Sequence, residues 1–293
     1  MEIISMSRSK FDKLEPLELP KNIRNTECEV FHFKYRNKDK VLKKLYCTGG
    51  NNFGNKLFTI EALSSNASYI PDNFILPECL VAIDKKIEAF VMPYIKGNNL
   101  SVVLNDDSTD LEEKKYYLKM IGQILEQMSY IRKFTPLTDF YIGDLHEDNL
   151  IIDPLKRTIY VADTDSIKIA GNFSFPSRYL NSKGLLNNAG KKYHLNDDIH
   201  CLTDYVVDEN TDLYCYAIVI LNYLYGEKIN NMDIDEFYRY INYLVDLKID
   251  KNLIDCFDRI VSNGNNINPV NFIDTLTHEQ IGRARKKVYN LKK

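Results

Sequence analysis

The chain has 293 residues, with 38 Lys and Arg against 41 Asp and Glu, and its formal net charge is −3. A chain of this length can bury a substantial core without disulfides or structural metals, as one large domain or two small ones. The balanced charge disfavours a protein built around DNA or RNA, which needs a concentrated cationic surface.

No segment of the sequence is typical of a membrane span or a secretion signal. The best candidate for a span, 213–226, is shorter than the roughly 20 residues that cross a bilayer, and it contains Asn222. The first residues lack the apolar core of a signal peptide. The six cysteines have no paired or metal-binding spacing, which is typical of reduced thiols. We therefore expect a cytoplasmic protein without a membrane partner.

A β-hairpin is predicted early in the chain. EVFHFKY (29–35) alternates apolar and polar residues, and VLKKLY (41–46) follows after a polar turn at 36–40. Lys43 and Lys44 would point to opposite faces of the second strand, so only one of them can reach a cleft. We favour Lys43, which shares its face with Val41.

A short helix and a second strand pair are predicted next. A loop at 48–55, rich in Gly and Asn, precedes a helix at 56–66 with apolar residues at helical spacing. Strands are predicted at 74–84 and 86–95, with a turn at Asp84–Lys85.

Beyond residue 96 the pattern becomes mainly helical. Apolar residues recur at helical spacing in four segments, and Thr211 and Gly226 are the expected ends of the second helix. These helices are predicted at 111–133, 211–226, 234–247 and 251–263. Two short strands are predicted at 144–153 and 158–165.

The residues that carry chemistry lie in IGDLHEDNLIID (142–153) and YVADTD (160–165). Asp144 can orient or deprotonate a hydroxyl group. Asn149 and Asp163 supply hard oxygen ligands, which Mg²⁺ prefers when it shares the oxygens of a phosphate. Phosphoryl transfer from a nucleotide requires a carboxylate of this kind beside a magnesium site.

The D-L-x-x-x-N pattern, followed by an Asp at the end of a strand, resembles the catalytic and metal-binding loops of the protein kinase-like superfamily. Upstream, Lys43 resembles the lysine of the third kinase strand, and Glu61 resembles its ion-pair partner on the following helix. Downstream, Asp212 resembles the kinase aspartate that braces the catalytic loop through backbone N–H groups. The motifs occur in the kinase order over nearly the whole chain.

The resemblance implies a single kinase-like domain over 1–293 with an α+β, two-lobed fold. A small antiparallel sheet with one helix would occupy 1–95, a larger helical lobe would occupy 96–293, and ATP and Mg²⁺ would bind between them. Asp144, Lys43 and Asn149 would be catalytic, with Asn149 and Asp163 holding the metal. The residues expected at the nucleotide are Val30, Val41, Lys43, Glu61, Met92, Tyr94, Ile95, Ile151 and Asp163.

Two motifs depart from the protein kinase pattern. Ile142 and Gly143 replace the His-Arg before the catalytic Asp, so control through a phosphorylated activation segment is not expected. His146 replaces a Lys, and the G-D-L-H form is similar to aminoglycoside and choline phosphotransferases. The D-F-G motif is Asp163-Thr164-Asp165, where Asp165 is either a second acidic ligand or a turn residue.

The glycine-rich loop over the phosphates is also missing. Its glycines would fall near Ile23, Asn25 and Cys28, but the first Gly of the chain is Gly49. Glycines serve there because the backbone approaches the phosphates closely and adopts positive φ. Either ATP is held mainly by the metal and by the segment 90–100, which is similar to the kinase hinge, or nucleotide binding is weak.

Three functions are compatible with these features. The first is an ATP-dependent kinase that phosphorylates a hydroxyl group, with protein Ser/Thr favoured as the acceptor. The second is a small-molecule phosphotransferase, whose acceptor pocket the acidic stretches 196–198 and 204–212 would line. The third is a pseudokinase scaffold without turnover.

Overall fold

A computed structural model describes residues 1–18, 28–46, 48–172, 179, 207–229, 232–262 and 265–291. The residues that it describes form an α+β structure, with 47% helix and 20% strand. A five-stranded sheet occupies the N-terminal part, and a helical region follows it. The α+β class predicted from the sequence is confirmed.

The five-stranded sheet is mixed, with the strand order β1-β4-β5-β3-β2. Its strands are β1 (Glu2–Met6), β2 (Cys28–Tyr35), β3 (Lys38–Leu45), β4 (Cys79–Ile83) and β5 (Lys86–Pro93). Strand β1 runs parallel to β4, whereas the other neighbours are antiparallel. The prediction of an antiparallel sheet is therefore wrong at this edge. The reason is a long-range pairing, from Glu2 opposite Cys79 to Met6 opposite Ile83, that no local pattern encodes.

Both predicted hairpins are confirmed, and each turns on two residues. Arg36 and Asn37 join β2 to β3 with φ of 50° and 60°, and Asp84 and Lys85 join β4 to β5 with φ of 46° and 73°. Two consecutive residues of positive φ match the right-handed twist of the strands they connect. The first turn is shorter than the predicted 36–40 because Lys38 already pairs with Tyr35.

The predicted loop at 48–55 is wrong, because helix α2 (Gly50–Ser65) begins at Gly50. The helix before it in the chain is α1 (Arg8–Phe11), a single turn between β1 and β2. Phe53, Leu57 and Ile60 of α2 pack on the sheet in one apolar cluster with Leu45 and Phe90. Tertiary packing of this face compensates for the weak helix propensity of Gly and Asn.

The helical region confirms the longer predicted helices. Its helices are α3 (Leu100–Asn105), α4 (Leu111–Phe134), α5 (Glu209–Tyr225), α6 (Ile234–Asp246), α7 (Lys251–Asp258) and α8 (His278–Leu291). A small sheet joins β6 (Asn98–Asn99), β7 (Leu150–Asp153) and β8 (Thr158–Val161). Among the residues that the structure describes, no helix combines the length and the apolar character that a membrane crossing requires.

Helix α5 is the centre of the helical core, because nearly all of its side chains are buried. It begins earlier than predicted. Asp208, not Thr211, is its N-cap, and the two side chains form a reciprocal capping box. Gly226 ends the helix with φ of 83°, as predicted.

Candidate active site

A buried lysine of the sheet meets the carboxylates that follow β8. Lys43, which lies 120 residues before Asp163, is 4% exposed and donates its Nζ to Oδ1 of that residue. It also lies 2.6 Å from Oδ1 of Asp165. Lys44 points to the other face of β3, with its Nζ 3.3 Å from Glu29 Oε2. Lys43, and not Lys44, is therefore the lysine of β3 that faces the segment after β8.

The charges of the cluster stabilise one another against the cost of burial. Burial favours the neutral form of Lys43, but Asp163 and Asp165 outweigh it and hold the Lys43 pKa well above its ordinary value. Burial likewise opposes ionisation of Asp163, yet Lys43 and Lys56 hold its pKa below the ordinary value. Burial raises the pKa of the neighbouring Cys28 thiol to about 11, so this thiol is neutral. The cluster therefore contains ionised lysine and carboxylate groups at neutral pH.

Asp165 and Lys56 form a pair that the sequence interpretation did not find. Asp165 is 1% exposed, and its Oδ2 accepts the Nζ of Lys56 at 3.0 Å. Lys56 also donates to Ser166 Oγ at 3.1 Å. Asp165 is therefore neither an exposed turn residue nor a carboxylate open to a metal, since both of its oxygens accept from ammonium groups.

A pattern in α2 could have revealed Lys56. It precedes Ile60 by four residues and Leu63 by seven, so it occupies the buried stripe of the helix. A lysine at such a position needs a buried acidic partner. Nothing local identifies that partner as Asp165, which lies 109 residues further along the chain.

The predicted role of Glu61 as the partner of Lys43 is not supported, and the structure corrects it. Glu61 is exposed on α2. It lies about 140° around the helix from Lys56, because each residue turns an α-helix by about 100°. The inward face of α2 therefore carries a cation where an anion was expected. Glu88 of β5 forms an ion pair with Arg8, with 3.0 Å between its Oε2 and Nη2 of the arginine.

The loop before Asp144 is held by α5, as predicted. The buried carboxylate of Asp212 accepts the N–H groups of Ile142 at 3.0 Å and Gly143 at 2.8 Å. Gly143 has φ of 75°, a conformation that glycine adopts without strain. Burial raises the pKa of Asp212 to about 7, although the two N–H donors oppose this shift. Asp212 thus fixes the backbone immediately before Asp144.

Asp144 lies beside a buried histidine. Its side chain is 23% exposed, and its Oδ2 lies 3.5 Å from Nε2 of His146. The Nδ1 of His146 accepts the N–H of Asp148 at 3.2 Å. Because Nδ1 accepts this bond, Nε2 is the ring nitrogen that carries a hydrogen, and it faces Asp144. This arrangement fits the supporting role expected for His146.

Asn149 connects Asp144 to the segment that carries Asp163. Its Nδ2 donates to the backbone oxygen of Asp144 at 3.1 Å, and its own backbone oxygen accepts the N–H of Ala162 at 2.8 Å. Asp163 follows with φ of 55° and a side chain that is 31% exposed. An ionised carboxylate and an amide oxygen on adjoining segments fit a Mg²⁺ that takes further ligands from phosphates and water. Within the described parts of the chain, no group of three or more His, Cys, Asp and Glu side chains is placed to hold a metal.

Of the other residues expected at the nucleotide, some lie on the strands around Lys43 or on β7, whereas Tyr94 and Ile95 follow the end of β5. Val30 is opposite Lys43, and Val41 is opposite Met92. Tyr94 is exposed, and its ring centroid lies 5.6 Å from that of His32.

The remaining predictions concern Ile95 and Ile151 at the nucleotide, the loop over the phosphates and the acceptor pocket. Ile95 and Ile151 are half-buried, and Ile151 pairs with Asn99 of β6. Ile23 and Asn25 lie outside the described residues, as do 196–198 and 204–206 of the acidic stretches proposed for an acceptor pocket. The contacts of these segments with a ligand stay predictions.

Comparisons with known proteins add no family. No family model matches the chain, and a search of curated proteins found no similar sequence. The function of the chain is therefore inferred from its motifs and from the geometry that joins them.

Proposed function

We propose that the protein is an ATP- and Mg²⁺-dependent phosphotransferase with a two-lobed kinase-like fold, and that it phosphorylates Ser or Thr hydroxyl groups of proteins. The observation that carries the proposal is the contact of the buried Lys43 with the half-buried Asp163. The two residues come from distant segments, and each was assigned to the nucleotide site on a separate motif. The loop of Asp144, braced by Asp212, adjoins the same segment through Asn149.

The charges of the cluster suit a polyphosphate. The Lys43 ammonium group would donate hydrogen bonds to oxygens of the α- and β-phosphates. Asp163 and Asn149 would hold Mg²⁺, which when bound neutralises phosphate charge and orients the γ-phosphoryl group. Val30, Val41 and Met92 would supply the apolar surface for adenine, with backbone groups of Tyr94 and Ile95 at its edge.

Transfer to the acceptor would occur at Asp144. The carboxylate accepts a hydrogen bond from the acceptor hydroxyl and orients its oxygen towards the γ-phosphorus. The new oxygen–phosphorus bond forms as the bond to the β,γ-bridging oxygen breaks and ADP leaves. The hydroxyl proton passes to Asp144 and then to solvent. His146, with its proton on Nε2, would keep the Asp144 carboxylate in place.

The test is transfer of label from γ-labelled ATP, with Mg²⁺, to casein and to the chain itself. We expect Asp144→Asn to lower the rate by about 10²- to 10⁴-fold, since it removes the orienting carboxylate. Asp153→Asn is the matched control, because Asp153 lies at the end of β7 and accepts N–H groups of the following turn. Equal labelling by wild type and Asp144→Asn would refute the assignment.

A second candidate, a small-molecule phosphotransferase, is favoured by the Gly143–His146 sequence and by the contact of His146 with Asp144. ADP release measured with aminoglycosides, choline and sugars separates the two. Stimulation by one of these acceptors, without labelling of protein, would favour the second candidate. Binding of ATP without turnover on any acceptor would favour a pseudokinase.

A further inference from the structure

We infer that Asp165, held by Lys56 of α2, is the positioning residue for Lys43. The helix and the loop would then carry charges opposite to those usual in a kinase. A kinase-like site would place a glutamate of the helix against the lysine. Here the helix supplies a lysine and the loop supplies the carboxylate. The inference deepens the proposed function and depends on it.

The first support is the geometry of Asp165. Its Oδ1 lies 2.6 Å from Lys43 Nζ, and its Oδ2 lies 3.0 Å from Lys56 Nζ. The carboxylate is 1% exposed, so its charge needs both cations. Moving Lys56 away would leave a buried carboxylate only partly compensated, which is costly. Lys56 therefore fixes the position of Asp165, and Asp165 fixes that of Lys43.

The second support is the difference in exposure between Asp163 and Asp165. Asp163 is 31% exposed, so it can turn towards a metal, whereas Asp165 cannot. When Asp163 binds Mg²⁺, Lys43 loses part of its compensation from that residue. Asp165 remains as the anion that keeps the Lys43 ammonium group in place.

A second polar link fixes α2 to the same segment. Thr59, three residues after Lys56 and on the same face of α2, accepts the Nδ2 of Asn172. The Asn172 side chain in turn bonds to Ile167 O at 2.9 Å and to the N–H of Ile169 at 2.8 Å. Both links are buried, and they lie about one turn apart along the helix. Helix α2 and the segment after Asp163 therefore form one unit around Lys43.

Binding of Mg·ATP to the full chain by titration calorimetry tests the inference. We expect Lys56→Met and Asp165→Asn each to raise the Kd by about tenfold, which is within the usual coupling range of contacting charges. The Lys56→Met/Asp165→Asn double variant should bind no more weakly than either single variant, because Lys56 acts through Asp165. Lys56→Arg should recover much of the affinity. Glu61→Gln is the control and should bind like wild type.

The double variant also guards against loss of folding, since it leaves no buried carboxylate without its cation. Far-UV circular dichroism and the melting temperature of each variant identify the folded samples. A structural role alone would lower the melting temperature without changing the Kd of the folded protein. Wild-type affinity in the folded single and double variants would overturn this inference alone. Failure of the wild type to bind Mg·ATP would overturn the proposed function and this inference together.

Discussion

At the scale of single residues, the candidate site is a set of balanced charges in which three members are buried and Asp163 is half-buried. Lys43 and Lys56 carry two positive charges, and Asp163 and Asp165 carry two negative ones. Burial makes each charge expensive alone, and removal of one partner from such a set is typically more harmful than removal of a pair. The depressed pKa of Asp163 follows from the same set. In the proposed site, a nucleotide would bind to Lys43 and its metal would bind to Asp163.

Asp212 should make the free energy of unfolding depend on pH in a way that can be measured. Its pKa in the folded protein is raised to about 7, because burial disfavours the charged carboxylate. Between about pH 4 and pH 7, the folded state therefore holds a proton that the unfolded state has already released. We expect this group to lower the free energy of unfolding as pH rises through that window, by at most about 1.4 kcal/mol per pH unit.

Chemical denaturation of wild type and Asp212→Asn at pH 5 and pH 7 measures this contribution. The loss of stability from pH 5 to pH 7 should be smaller in the variant, whatever its absolute stability. Asp208→Asn is the control, because Asn also caps a helix N-terminus. An identical pH dependence in wild type and Asp212→Asn would show that Asp212 ionises normally.

At the scale of elements, the connection between the sheet and the helical region depends on a close backbone approach. A Cβ added at Gly97 would lie 1.9 Å from the carbonyl oxygen of Ile152 in β7. Any side chain there must displace β6 from β7. We expect Gly97→Ala to lower the free energy of unfolding by about 2–3 kcal/mol, measured by urea denaturation.

Gly54 provides the opposite case on α2. It is exposed, and an added Cβ would have no heavy atom within 4 Å. Alanine has a higher helix propensity, so Gly54→Ala should raise the free energy of unfolding by about 0.5–1 kcal/mol. Equal effects of Gly97→Ala and Gly54→Ala would contradict the packing described for these two positions.

Sequence patterns identified the elements whose causes are local. The turns at Arg36–Asn37 and Asp84–Lys85 carry polar residues between alternating strands, and α5 is a long apolar segment ended by Gly226. Strand β1 was missed because it forms only through pairing with β4. The start of α2 was missed because packing, not propensity, extends it to Gly50.

The same distinction separates the parts of the site. The Asp144 and Asn149 loop was found because spacing within one segment carries it, and the bracing by Asp212 followed from the resemblance. The partner of Lys43 was misassigned to Glu61, because a motif gives the helix but not which face of it turns inward. Only the fold places Lys56 and Asp165 together.

At the scale of the whole molecule, a short segment ties the sheet to the helical region near the site. Backbone hydrogen bonds join Asn73 and Ile75 to Val161 of β8 at 2.8 and 2.9 Å. Thr164 Oγ1 donates to the Ile75 oxygen at 2.7 Å. Phe74, between them, is buried in the core of the helical region. The position of Asp163 relative to Lys43 therefore depends on packing from both parts of the protein.

The central claim is that the cluster of Lys43 and Asp163 binds a nucleotide with its metal. The melting temperature of the full chain, measured with ATP in the presence and absence of Mg²⁺, tests it most directly. Saturation at about 100 times the Kd would stabilise the folded state by about 2.7 kcal/mol. We expect the melting temperature to rise with ATP and Mg²⁺ together, and Lys43→Met to abolish most of the rise. No rise in the wild type, or an equal rise in Lys43→Met, would contradict the claim.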